Sequence, residues 1–343
     1  MSRKPKRKAT IVDVAELVGV HHSTVSRALS PERRDKISPT VVKKVEKAAK
    51  KLGYFPNMAA ASLKRNRSFV IGVLVPDLTN PVFAPIIRGI QDTAEAAGFT
   101  VITANTDDEE DKEAHAMQMM QARAVEGLVL ATARREDPTV EQCIDEETPF
   151  VLVNRTVDRD GVNAVVLDEQ HGIRAILDHL IAEGHTRIAH VAGPQHTSTG
   201  HFRAKAFTDY MTLQGLDATM VEYANRFTVE EGREACERLR ERESEFTAIA
   251  AGNDLLALGC MDALAEAGLK VPTNVSITGY DDMRFLDRMS PALTTVSVPK
   301  YEMGVQAMKS LLEALGGESK SAPVVLRMQP RLVVRDSTTA AAG

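Results

Sequence analysis

The sequence predicts an all-α, helix-turn-helix head followed by an α/β body of two parallel-sheet lobes. Three observations carry this expectation. Residues 1–67 hold 17 Lys+Arg against 5 Asp+Glu, a net of +12, while the remainder of the 343 residues is net −17. Apolar residues up to Leu52 recur at helical spacing, punctuated by Gly19 and Gly53. From Phe69 onward, short apolar runs alternate with amphipathic stretches, the pattern of parallel strands covered by helices.

The whole-chain charge of −5 conceals this segregation. A basic head on an acidic body points to a polyanion partner for the head. Hydrophobic content of 43% and charged content of 26% fit an ordinary globular protein with a full core. Cys143, Cys236 and Cys260 are widely spaced and odd in number, which argues against a secreted disulfide framework. No apolar run approaches the roughly 20 residues of a membrane span, and no apolar stretch follows the basic N-terminus as in a signal peptide. The expected compartment is the cytoplasm, on nucleoid DNA, with no membrane partner.

In the head, Thr10 caps a first helix from Ile11, with Ile11, Val14, Ala15 and Val18 on one face and Gly19 at its end. A second helix runs from His22 to Leu29, with Val25, Ala28 and Leu29 turned inward. Ser38-Pro39 opens a third, which buries Val41, Val42, Val45, Ala48, Ala49 and Leu52. Counting Ile11 as one, a small residue (Ala15) falls at five, Gly19 at nine and branched Val25 at fifteen. That spacing matches a helix-turn-helix, whose second helix enters the DNA major groove by its N-terminal end. His21, His22, Ser23, Thr24, Ser26 and Arg27 cluster there; His22 and Ser23 are the candidates for base edges, the others for phosphates or bases. The His21-His22 pair is a poor metal site, because adjacent helical positions diverge by about 100° and no third ligand is near.

Residues 57–67 combine good helix formers with Asn57 as a cap, Lys64 and Arg65 as cations, and one prominent apolar residue, Leu63. The segment is too short for a stable isolated helix. It suits a hinge helix that folds on DNA, with Leu63 wedged between base pairs from the minor groove beside a second copy. That implies a homodimer on a near-palindromic double-stranded site.

These motifs, from ATIVDVAELVGVHHSTVSRAL through YFPNMAAASLKRNRS to PRLVVRDST, resemble the lactose-repressor (LacI/GalR) family of bacterial regulators along nearly the whole chain. The resemblance implies that Leu63 is an intercalating lever and that the body is similar to periplasmic sugar-binding proteins. The expected organisation is a helix-turn-helix domain at 1–56, a hinge helix at 57–67 and an effector-binding, dimerising body at 68–337. Its N-lobe covers about 68–166 and 299–327, and its C-lobe about 167–298 and 328–337, with chain crossings near Leu167, Val298 and Met328.

Ligands of open α/β sheets sit at strand carboxyl ends. That rule selects Asp77, Asn80 and Phe83 after the first strand, the loop Gly193–Arg203, Asn253-Asp254 and Asp281-Asp282. The resemblance implies that Phe83 packs on a ligand ring, that Arg203 and Asp281 hydrogen-bond it, and that Thr197, Thr199 and Phe227 lie near. With no Trp in the chain, stacking falls to Phe83, Phe227 or Phe285. Glu169 stands where the family often has Asn, and His196–His201 is unusual. Asp107–Asp111 lacks the alternating spacing of a calcium loop and is expected to open a helix instead. No GxGxxG, P-loop or GxSxG is present, so neither cofactor nor catalytic chemistry has a motif. The expected function is a DNA-binding transcription regulator, a repressor, controlled by a sugar-like small molecule. The alternative is a solute-binding transport component, suggested by the body alone.

Overall fold

A computed structural model describes residues 9–30, 34–54, 67–242, 245–316 and 322–341. The chain divides into two compact units, Met1–Ser68 and Phe69–Gly343. Asn57, Leu63 and Lys64 of the expected hinge helix lie outside the described residues.

The first unit packs α1 (Ile11–Val18), α2 (His22–Ala28) and α3 (Pro39–Leu52). Thr10 and Asp13 form a reciprocal capping box at the start of α1, with Asp13 Oδ2 accepting from the Thr10 amide at 2.6 Å. Gly19 ends α1 at φ 74°, the left-handed backbone that brings α2 back across it. Val14, Ala15, Val25, Ala28, Val45, Ala48 and Ala49 form the core. Leu29, the half-buried C-cap of α2, packs against this core, whereas Leu52, expected inward, is 37% exposed.

The second unit has two sheets. Strands β1 (Val70–Val75), β2 (Thr100–Asn105), β3 (Gly127–Leu130), β4 (Phe150–Val153), β5 (Ala164–Leu167) and β11 (Val325–Met328) form the first, ordered β11-β5-β4-β3-β1-β2. All its pairings are parallel. Strands β6 (Ile188–Ala192), β7 (Val221–Tyr223), β8 (Ala248–Ala251) and β9 (Ser276–Thr278) form the second, also parallel, ordered β7-β6-β8-β9. An antiparallel pair, β10 (Thr295–Ser297) with β12 (Arg331–Val333), joins its edge through the bridges Thr278–Thr294 and Asp281–Ser297. The chain passes between the sheets after β5, between β10 and the Lys300–Gly316 helix, and between β11 and β12.

Central strands read as continuous apolar runs because both faces are covered; Ile71 and Val73–Val75 of β1 are all buried. One apolar cluster continues from Ile71 and Phe83 in the first lobe to Leu177, Phe207 and Tyr280 in the second. The helix after β1 begins at Phe83, which lines the space between the lobes, and the helix after β5 begins at Glu169, against Arg203 of the same space. The Asp107–Asp111 run opens a helix as expected, with Glu109 at its N-cap and Glu110 and Asp111 in its first turn; Asp107 and Asp108 precede it with left-handed backbone (φ 51° and 59°).

Thr10→Ala removes the capping box and is expected to destabilise α1 by about 1 kcal/mol. Native-state hydrogen exchange of the Val14–Val18 amides in the full chain measures it.

Candidate effector cleft and DNA-reading face

The first turn of α2 carries the candidate reading residues. His22, Ser26 and Arg27 are exposed, and Ser23 and Thr24 half-buried against Val25. His21 is not part of the helix proper. It is the N-cap: its Nδ1 accepts from the Ser23 amide at 3.3 Å and lies 2.8 Å from Ser23 Oγ. Its ring packs beside that of His22, with centroids 4.0 Å apart. Local hydrogen bonding thus fixes the pair in place.

In the second unit, a cleft of about 380 Å³ opens between the two lobes, a size suited to a small molecule. Asp77, Asn80 and Phe83 line it from the first lobe, and Thr199, Arg203, Phe227, Asn253 and Asp281 from the second. Each is held by local structure. Asp77 Oδ1 accepts from the Thr79 amide and hydroxyl at 2.7 and 2.6 Å, and Asn80 Oδ1 from the Val82 amide at 3.1 Å, shaping the turn that delivers Phe83. Phe83 is both core and wall, 3% exposed. Phe227 lies flush against Gly193, where a Cβ would meet its ring at 2.2 Å; only glycine leaves that place free. Asn253 caps the Asp254–Glu266 helix by accepting from the Leu256 amide at 2.9 Å.

Two expected residues stand behind the wall. Thr197, fully buried, caps the Ser198–Leu213 helix through the Gly200 amide and donates to the Pro194 carbonyl. Asp254 does not cap its helix. Its carboxyl accepts from the Met283 amide at 2.9 Å and the Thr295 hydroxyl at 2.5 Å, tying β10 and the Asp281 loop to the helix start.

Arg203 dominates the floor. Its side chain is 3% exposed, its Nε and Nη2 donate to the two oxygens of Glu169 at 2.8 and 3.1 Å, and its Nη1 donates to the Gly252 carbonyl at 2.8 Å. The guanidinium carbon lies 3.7 Å from the Tyr280 ring centroid. Asp281 Oδ1 is 3.8 Å from Nη2. Asp281 itself sits at φ 114°, a strained backbone for a non-glycine residue; its carbonyl and that of Asp282 accept from Lys300 Nζ. Burial pushes the Asp281 carboxyl up to about 6, against the opposing pull of Arg203 and Lys300. Burial, with Asp281 nearby, pushes Asp254 up to about 8.

The residue reading missed a second charged group. Asp108, Asn154 and Arg155 also line the cleft, and Arg155 Nη1 donates to Asp108 Oδ1 at 2.8 Å. His196 Nε2 from the other lobe lies 3.6 Å from Asp108 Oδ2. After the cost of burial, His196 and Arg155 hold the Asp108 carboxyl well below the usual carboxylate range. The strand-end rule contains the signal, since these residues follow the carboxyl ends of β2 and β4. The lobes are further tied by Thr156 N donating to Ser198 Oγ and Arg135 N to the His196 carbonyl.

A helix-turn-helix with exposed polar residues at the start of its second helix, and a polar cleft between two parallel-sheet lobes, are joined in one chain. The family described as "Bacterial regulatory proteins, lacI family" matches residues 10–57, and a "Periplasmic binding protein-like domain" matches 177–338. The HTH-type transcriptional repressor CytR of Escherichia coli is 32% identical over 99% of both chains. The chain belongs to the LacI family. Its fold is also similar to the lac repressor dimer bound to operator and the anti-inducer ONPF, with a TM-score of 0.85 at 26% identity over 97% of this chain and 100% of that one. The complex of the transcriptional regulator CelR with cellobiose gives 0.74 at 29% identity over 96% and 99%. This family member is a transcription regulator that binds DNA through its helix-turn-helix head, and its matched relatives are regulators rather than enzymes. Among the described residues no helix is long and apolar enough to cross a membrane.

The raised Asp254 value gives a pH prediction. The buried carboxyl keeps its proton to about 8, whereas an unfolded aspartate loses it near 3.8. The native state therefore binds more protons, and stability falls as pH rises through that window. His179, His185 and His190 act oppositely, but only below their unfolded value of 6.5. Denaturant midpoints should fall from pH 6.5 to 8 in the wild type and fall less in Asp254→Asn; equal slopes would contradict the burial account.

Proposed function

We propose that this family member is a dimeric repressor whose operator grip is set by a small, polar, sugar-like effector in the interlobe cleft. The observation that carries the reading is the cleft wall itself. Aromatic Phe83 and Phe227 and hydrogen-bonding Arg203, Asn253, Asp281 and Asp77 line a single space of about 380 Å³. Flat apolar faces for ring C–H groups and a rim of donors and acceptors are what a polyol ring requires. The cellobiose complex of one structural relative supports a sugar class.

His22 and Ser23 read base edges in the major groove, while His21 positions them; Thr24, Ser26 and Arg27 hold phosphate or base edges from the same face. Asn57, Leu63 and Lys64 belong to the hinge helix of residues 57–67, which pairs with its copy in the minor groove over a near-palindromic site. The chain acts in the cytoplasm, on nucleoid DNA, without cofactor or catalysis. Effector binding across the lobes changes their arrangement and so the population of paired hinge helices.

Leu63→Ala is expected to weaken operator binding by about a hundredfold while leaving the body folded, because the wedge that sustains the DNA kink is lost. A gel-shift assay at fixed salt, on a fragment selected by the wild-type chain, checks it; wild-type affinity would refute the wedge. Arg203→Ala and Asp281→Ala are expected to retain DNA binding yet lose the response to effector, as measured by fluorescence anisotropy on the same fragment. Affinity is also expected to fall steeply with salt, as lysines and arginines of the head displace counterions.

A further inference from the structure

We propose that Glu169 is a charge gate: by neutralising Arg203 it makes the cleft select uncharged polyols over their carboxylate and phosphate counterparts. This deepens the sugar-effector reading above and rests on it. Arg203 has five N–H groups. Nε and Nη2 each spend one on Glu169, and Nη1 spends one on the Gly252 carbonyl. Two remain for a ligand, but without net charge behind them, because Glu169 is itself 8% exposed and bound at both oxygens. Glu169 is the first residue of the Glu169–Ala182 helix.

The surroundings add negative rather than positive charge. Asp281 lies 3.8 Å from the Arg203 Nη2. Lys300 is bonded to the Asp281 and Asp282 carbonyls. Across the cleft, Arg155 is paired with Asp108. Arg226, at the exposed mouth, donates to the Asp107 carbonyl. An anionic ligand that took the Arg203 fork would strand the Glu169 carboxylate, buried beside Asp281, without its counter-charge. A sugar hydroxyl meets no such conflict. It accepts from a spare Arg203 N–H and donates to Asp281, and Glu169 stays in place. Selectivity thus follows from a built-in repulsion as well as from attraction.

The test uses the full-length chain and matched pairs that keep the sugar ring: D-glucose with D-glucuronate, D-galactose with D-galacturonate, and D-ribose with D-ribose 5-phosphate. Calorimetric affinities are measured for wild type and Glu169→Gln. For any pair that binds, the wild type should prefer the neutral member by about tenfold or more, and E169Q should shrink that preference by about tenfold or invert it. A charged member bound by the wild type as tightly as its neutral partner, or an unchanged preference in E169Q, would overturn the gate. If no member binds either protein, the sugar reading fails, and a second measurement decides the gate alone. Glu169→Ala leaves a carboxylate-sized space over Arg203. Sodium acetate should raise its melting temperature more than an equal concentration of sodium chloride does, an excess absent from the wild type and from R203M/E169A. Absence of that excess in E169A overturns the proposal.

Discussion

A guanidinium buried to 3% exposure at the floor of a cleft is the constraint around which the body is arranged. An unpaired charge there would be strongly destabilising, so its donors must be met. Glu169 meets two of them, which requires the helix after β5 to begin at Glu169 and at that height. The Gly252 carbonyl meets another, which fixes the end of β8. Tyr280 covers the flat face from the end of β9, and Asp281 takes up a strained backbone beside it. Residues from the ends of β8 and β9 and from the first two turns of two helices are thereby held to one geometry before any ligand arrives. Such preorganisation lowers the ordering cost of binding.

The cleft spans two lobes that share an apolar cluster yet meet across it through polar contacts. These are Thr156 with Ser198, Arg135 with the His196 carbonyl, and Asp108 with the exposed His196. Contacts of this kind can be remade at small cost, so a ligand that touches both walls can shift the lobe arrangement by its differential affinity alone. The charge layout separates the two tasks: basic residues concentrate in the head, while Arg203 and Arg155 of the cleft are paired with the Glu169 and Asp108 carboxylates.

Much of this was legible from local chemistry. Gly19, Ala15 and Val25 announced the helix-turn-helix because a left-handed turn and a close helix crossing admit few residue types. Strands β1, β3 to β6 and β8 read clearly because buried parallel strands are largely apolar, whereas the short β7, with Glu222 at its centre, gave no such run. Asp77, Asn80, Phe83, Asn253 and Asp281 followed from the strand-end rule, and the structure gathers them around one cleft, the first three from one lobe and the last two from the other. Other features depended on tertiary partners that sequence spacing does not display. Asp108 and Arg155 are 47 residues apart and meet only because the carboxyl ends of β2 and β4, two strands removed from each other, open on the same end of the parallel sheet. Asn253 supplies the helix cap, and the carboxyl of its neighbour Asp254 faces Thr295 and Met283. Glu169 was visible as an unusual residue, but its bidentate hold on Arg203 was not.

The central claim is that the Arg203–Glu169 pair acts as one unit that organises the cleft floor. A double-mutant cycle tests it most directly, using the full chain with Arg203→Met, Glu169→Met and both changes, unfolded by denaturant and followed by circular dichroism. If the pair is a unit, each single change strands a buried charge, and the double mutant is more stable than the sum predicts by about 2 kcal/mol or more. Additive losses would contradict the account.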